Sequence, residues 1–191
     1  AYFMYTYDTD KVDENGKGTG EPDEVALINY AATLGLAKAD LVAANPRAGE
    51  VPFDSGRKMM STVHEVNGKY VQYTKGAPDE IFKKCTKALV NGEIVDINDD
   101  ILRKASDENT RMGNKALRVF AVAFKEYAAD PEVYDSASLE NDMIFIGLTG
   151  MIDPVRPEVK DAIVECRSAG ITPIMITGDH INTAKAIARE L

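Results

Sequence analysis

Cysteine and histidine are scarce in this chain, and positive charge does not gather anywhere along it. Two cysteines, Cys85 and Cys166, lie far apart and form no CxxC pair. Neither a zinc cluster nor a disulfide scaffold is signalled, and a reduced, cytosolic setting is the simplest reading. Two histidines, His64 and His180, are too few for a histidine-rich metal site. The formal net charge is -9, with no basic run and no interleaved aromatic stripe, which argues against a nucleic-acid binder. An acidic chain still binds phosphates where its basic residues gather locally. No apolar run reaches the length needed to cross a bilayer, and nothing at the start reads as a signal peptide.

What is there suits a globular protein. The 191 residues, 45% hydrophobic and 28% charged, suffice for one large or two small domains with a real core. No internal repeat or low-complexity tract is visible. The chain starts at Ala1 and stops at Leu191 inside an amphipathic pattern with no Gly or Pro to end it. The expectation is a piece of something longer.

Turn signals and periodicity divide the chain. AYFMYTY, Ala1 to Tyr7, predicts a strand, and a polar loop follows to Gly20. Pro22 marks a helix start, with Glu21, Asp23 and Glu24 in its first turn, running to about Leu36. VPFDSGRKMMSTVHEVNGKYVQYTK reads as a strand, an Asn67-Gly68 hairpin turn and a partner strand. A short helix follows Pro78. LVNGEIVDI holds a second Asn-Gly turn. Asp99 to Met112 predicts a helix, Ala116 to Phe124 a buried strand, Tyr127 to Asn141 a polar insertion, and MIFIGLTGMI another strand.

The character changes at Asp153. Pro154 and Pro157 bracket a stiff connection, Glu158 to Ala169 forms an amphipathic helix ended by Gly170, and ITPIMIT reads as a buried parallel strand before a helix from Asp179. The expectation is an α+β domain, an antiparallel sheet flanked by helices, over residues 1–152. Part of an α/β domain would follow over 153–191.

Each candidate motif has a plainer reading beside it. In VQYTKGAPDEIF, Lys75 stands where a strand runs into a turn, with Gly76 beside it and a Pro-started helix behind. This suits close approach of an anion, or a lysine guarding a sheet edge. FDSGRKMMS places Phe53 shortly before Arg57 and Lys58. A ring that stacks on a base and a lysine that meets a phosphate would make an adenine-nucleotide site, and exposed Arg-Lys surface is the alternative. TGDH puts Thr177, Gly178 and Asp179 where strand meets helix, as phosphate contacts or as a plain cap. DPVRP is a linker or a hinge. Glu24 is a helix-dipole carboxylate unless it faces a ligand.

Their succession adds what none carries alone. EPDEVAL, FDSGRKMMS, TKGAPDE, ALRVFAVA, GMIDPVRPEV and MITGDH, in that order over nearly the whole chain, resemble the large cytoplasmic loop of P-type cation-transporting ATPases, the calcium-transporting type above all. The resemblance implies a nucleotide-binding domain over residues 1–152. The hinge and a partial phosphorylation domain with a haloacid-dehalogenase-like fold would follow over 153–191. It implies that Phe53 stacks on adenine, Lys58 sits near base and phosphates, Lys75 and Gly76 line the pocket, and Glu24 fixes the adenine end. Arg118 would reach the polyphosphate, and Asp153 and Arg156 would belong to the hinge. Thr177, Gly178 and Asp179 would face the transferring phosphoryl group and its Mg²⁺.

The implied cofactors are ATP and magnesium. The implied partners are the transmembrane, actuator and remaining phosphorylation parts of a membrane pump. Departures limit the expected chemistry. DKTGT, which carries the family's phosphorylated aspartate, does not occur, nor does GDGxND, which supplies magnesium ligands. A chain without them is expected to bind nucleotide without turning it over, with no catalytic or metal-binding residue of its own. Val155 stands where the hinge usually has a second proline, and Asp23 where the helix start usually has threonine. The competing readings are a free-standing haloacid-dehalogenase-type phosphohydrolase and a non-catalytic interaction module. The incomplete C-terminal segment is expected to be mobile, to pack on another copy or to promote self-association.

Overall fold

The computed structural model of the chain describes residues 11–12, 18–19, 22–152, 155–176 and 181–191. The expected strand at Ala1 to Tyr7 lies outside them, as do Asp153, Thr177, Gly178 and Asp179. Two short strands, β1 (Lys11–Val12) and β2 (Gly18–Thr19), pair antiparallel. Pro22 opens α1 (Pro22–Thr33), with Asp23 and Glu24 at the positive end of its dipole. The helix ends at Thr33 rather than near Leu36. Gly35 takes φ 75°, its N–H donates to the Ala32 carbonyl, and Leu36 N–H donates back to Ala31, which closes the helix end. A short helix not expected from the sequence, α2 (Lys38–Ala44), leads into the sheet.

Three strands then run back and forth: β3 (Arg47–Asp54), β4 (Met59–Val66) and β5 (Lys69–Gly76). Asn67 and Gly68 join the last two with φ of 52° and 75°, the mirror-image turn that fits strand twist. The sequence reading has only this turn between Val51 and Lys75, and the structure has a second at residues 55–58. Asp54 makes it. Its Oδ1 accepts from the backbone N–H of Gly56 at 3.0 Å and of Arg57 at 2.9 Å. Lys58 N–H closes onto the Asp54 carbonyl at 2.7 Å, with Lys58 at φ 54°.

After α3 (Pro78–Lys84), strands β6 (Cys85–Val90) and β7 (Glu93–Asp96) form the second Asn-Gly hairpin. Asn98 caps α4 (Asp99–Gly113), its side chain accepting from Ile101 N–H at 3.0 Å. β8 (Arg118–Tyr127), the short α5 (Ser136–Leu139) within the polar insertion, and β9 (Met143–Met151) follow. The strands make one seven-stranded sheet in the order β3-β4-β5-β8-β9-β6-β7, antiparallel except where β6 runs parallel to β9. The architecture is α+β.

Apolar faces tie the helices to this sheet. Ile81 of α3 is fully buried with Met59, Ala121, Ala123, Met143 and Phe145, and Phe82 meets Phe145 edge to face at 5.3 Å. Val51, Val63 and Leu139 form another cluster, flanked by Tyr70, Tyr127 and Tyr134. On α1, Leu27, Ile28 and Ala31 are buried with Leu36, Leu41 and Met151 against them.

The remaining elements are α6 (Pro157–Ser168) and α7 (Ile181–Glu190). Between them the sequence predicts a buried strand, and the structure corrects this. Residues 171–176 form no strand, and Ile174 and Ile176 are 80% and 93% exposed. A parallel strand takes its hydrogen bonds from neighbours, and no strand among the described residues pairs with this one.

Candidate functional site

Antiparallel register brings distant residues to one end of the sheet. Asp54 pairs with Met59, Met60 with Lys75, and Lys75 in turn with Val122. The end of β3, the turn after it, the end of β5 and the start of β8 therefore meet. A cavity of about 470 Å³ lies there, closed on one side by the first turn of α1. Its volume is in the range of small-molecule sites. Glu24, Phe53, Lys58, Lys75, Gly76 and Arg118, all singled out from sequence, line it.

Lys75 is not an edge guard. Its strand is interior, between β4 and β8, and the residue is only 5% exposed. Its ammonium donates to Oε2 of Glu24, itself 8% exposed. Each charge is tolerated in that position because the other is there. This ion pair ties α1 to the middle of the sheet.

Arg118 is more open. Its Nη1 lies 2.5 Å from Oδ2 of Asp23, and its guanidinium sits 5.5 Å from the centre of the Phe120 ring. Lys58 is exposed and has no carboxylate partner among the described residues. Phe53 is 56% exposed, a large aromatic surface at the cavity rim with room for a planar partner.

Gly76 has a different reason for being glycine than close approach of an anion. A Cβ there would strike the Lys58 carbonyl and come within 2.5 Å of Met59 Cβ. The missing side chain makes room for the neighbouring strand, and the glycine faces the cavity through its backbone. Nor is the amide that follows open to a ligand, since Ala77 N–H donates to the Lys58 carbonyl at 2.9 Å.

Arg57 and Lys58, read together from sequence, part company. Lys58 lines the cavity, while Arg57 turns to Glu140. Arg156 is exposed at the start of α6 and is not among the residues lining the cavity. Asp23 and Phe120 are lining residues that sequence reasoning did not select. Phe120 carried a signal, because alternation along β8 places it on the face of Arg118. Asp23 carried one as well, beside Glu24 in the first turn of α1.

Among the described residues no group of three or more His, Cys, Asp or Glu side chains converges to hold a metal ion. The carboxylates at the cavity are engaged with Lys75 and Arg118. The described residues therefore do not make a magnesium site by themselves. What the cavity offers is a ring platform beside basic groups.

The cavity thus sets an exposed ring beside Lys58 and two ion-paired cations at one end of the sheet. A family model described as "P-type ATPase, cytoplasmic domain N" matches residues 5–158, and the chain belongs to this family. It is 46% identical over 177 residues to Calcium-transporting ATPase 1 of Bacillus cereus, covering 93% of this chain and 20% of that protein. It is 42% identical over 178 residues to Calcium-transporting ATPase 1 of Lactococcus lactis, with the same coverage of each. Similarity extends to the sodium/potassium-transporting ATPase subunit alpha of Hydra vulgaris, 36% identical over 186 residues, 90% of this chain and 18% of that one. The chain thus spans about a fifth of the length of the curated relatives it matches. No single helix among the described residues is long and apolar enough to cross a membrane.

Proposed function

We propose that this chain is the ATP-binding cytoplasmic part of a membrane pump that couples ATP hydrolysis to cation transport, with calcium the ion. The observation that carries the nucleotide assignment is the gathering of Phe53, Lys58, Lys75 and Arg118 around one cavity. The names of the calcium-transporting relatives support the ion. Phe53 stacks on the adenine, with Glu24 at that end of the ligand. Lys58 meets base and phosphates, Lys75 and Gly76 contribute wall, and Arg118 reaches the polyphosphate tail. Magnesium, arriving with ATP, neutralises phosphate charge, and its protein ligands come from the remainder of the pump.

Residues 1–152 constitute the nucleotide-binding domain in this reading. Residues 153–191 are a hinge and part of a haloacid-dehalogenase-like phosphorylation domain. Asp153 and Arg156 belong to the hinge, and Thr177, Gly178 and Asp179 to the phosphoryl-transfer end. With no DKTGT in the sequence, the chain by itself binds and positions nucleotide and does not complete the transfer.

Calorimetric titration of ATP into the chain, Phe53→Ala and Lys75→Ala tests this. A dissociation constant between high micromolar and millimolar, about -5 to -4 kcal/mol, is expected, with both variants weaker. A folded chain that takes up no ATP at millimolar concentration overturns it and favours an interaction module instead.

A further inference from the structure

The two carboxylates in the first turn of α1 each hold a cavity cation, and the two pairs are not alike. Lys75 and Glu24 are buried, with side chains 5% and 11% exposed, and they form part of the wall. The Arg118 side chain is 68% exposed and that of Asp23 28%, so water reaches this pair and a change of partner costs little. Phe120, under the Arg118 guanidinium, keeps the cation at the cavity when it leaves Asp23. Asp23 cannot follow Arg118, because it sits on α1 beside Glu24, which Lys75 anchors to the sheet.

Resting on the nucleotide reading, we infer that Asp23 sets the affinity of the site for anions: it is a built-in counter-ion for Arg118 that the polyphosphate tail of a nucleotide must displace. A carboxylate fixed beside the guanidinium competes at high effective concentration with any anion from solution. Inorganic phosphate brings nothing to offset the lost pair. A nucleoside polyphosphate brings a base for Phe53 and further charge for Lys58, and so takes Arg118 from Asp23. The same residue returns Arg118 to the carboxylate as the nucleotide leaves. Asp23 thus lowers the affinity for every anion that must take Arg118, ATP included, and leaves small anions, which have no base to add, too weak to hold the site.

The test is a set of titrations followed by amide chemical shifts, with ATP and adenosine as ligands. The proteins are the chain, Asp23→Asn, Arg118→Gln and the double variant. Asp23→Asn is expected to tighten ATP by about two- to fivefold, the span of an exposed ion pair, and to leave adenosine unchanged. The gain should largely vanish in the Arg118→Gln background. Equal gains in both backgrounds would mean that Asp23 acts through its field alone, and would overturn the inference. So would an equal gain for adenosine, or no gain while ATP still binds. If neither ligand binds any of the proteins, the nucleotide reading itself falls, and this inference with it.

Discussion

Arg57 and Glu140 are 83 residues apart in sequence, and Arg57 Nη1 lies 2.5 Å from each carboxylate oxygen of Glu140. Glu140 is 2% exposed. Ser61 Oγ donates to it at 3.1 Å and lies 2.9 Å from Thr74 Oγ1, which also accepts from Gln72 Nε2 at 2.8 Å. Tyr127 OH donates to Gln72 Oε1 at 2.6 Å, extending the chain of contacts across β4, β5 and β8. Arg57 Nη2 also reaches back to the Pro52 carbonyl at 2.6 Å, so it braces the turn that presents Phe53 and Lys58. Arg57→Ala would strand a buried carboxylate. A stability loss of about 3 kcal/mol is expected, with partial recovery in Arg57→Met/Glu140→Gln, read from urea denaturation.

Phe53→Ala and Lys75→Ala should separate binding from stability. The Phe53 ring is 56% exposed, so its loss should leave the denaturation midpoint in place. It should weaken ATP binding by about 1–3 kcal/mol, the worth of a base stacked on an aromatic ring. Lys75→Ala leaves Glu24 without its buried partner and should lower both affinity and midpoint. Calorimetry and thermal melts on both variants check the contrast.

Gly76→Ala should destabilise by about 1–3 kcal/mol, as overpacking does in a filled interior. The added methyl meets the Lys58 carbonyl and Met59 on the adjacent strand, where only backbone movement gives room. An unchanged melting temperature would show that the hairpin end yields without cost.

Burial pushes the Cys85 thiol up from its usual 9.0 to about 12. Below pH 9 the thiol is protonated in folded and unfolded chains alike, and stability is unaffected by it. Between pH 9 and about 12 the unfolded chain releases a proton that the folded chain keeps, so stability falls as pH rises through that window. The slope from this group approaches about 1.4 kcal/mol per pH unit. Tyr127, also pushed up to about 12 by burial, adds in the same direction above pH 10. Denaturation midpoints taken from pH 8 to 11 should fall accordingly. At neutral pH a thiol reagent should modify Cys166 well before Cys85, since Cys85 is buried and Cys166 is partly exposed.

Ile171, Ile174, Met175 and Ile176 present apolar surface together between α6 and α7. Such a patch is expected to drive self-association of the chain as its concentration rises. Sedimentation velocity over a concentration series reads this, with Ile174→Lys/Ile176→Lys shifting the distribution toward monomer. A strict monomer at all concentrations would rule the association out.

Local chemistry was the readable part of this fold. Both Asn-Gly hairpins, the helix starts at Pro22 and Pro78, and the strands around Val122 and Phe145 follow from turn residues and periodicity, which act within a few residues. Asp54-Ser55-Gly56 was a turn signal of the same kind, hidden because the flanking residues read as one continuous strand. ITPIMIT shows the opposite failure, since composition suggests a strand and only partners can make one. The cavity residues Phe53, Lys58, Lys75 and Arg118 were legible through motif order. Their ion-pair partners were not all so readable. Asp23 and Glu24 are 95 and 51 residues from their cations, and Glu140 is 83 from Arg57; pairings over such spans depend on sheet register.

The cavity has two walls with different clocks. Lys75 stands on a strand hydrogen-bonded on both sides, to β4 and to β8. Its backbone is therefore expected to open less readily than that of the edge strand, which amide exchange would read. Phe53 stands at the end of the edge strand β3 and Lys58 closes the exposed turn after it, so this wall has a neighbouring strand on one side only. A ligand entering here meets a wall fixed by the sheet on the Lys75 side, and adaptation to its shape falls to exposed side chains at the rim, Phe53 and Arg118 among them.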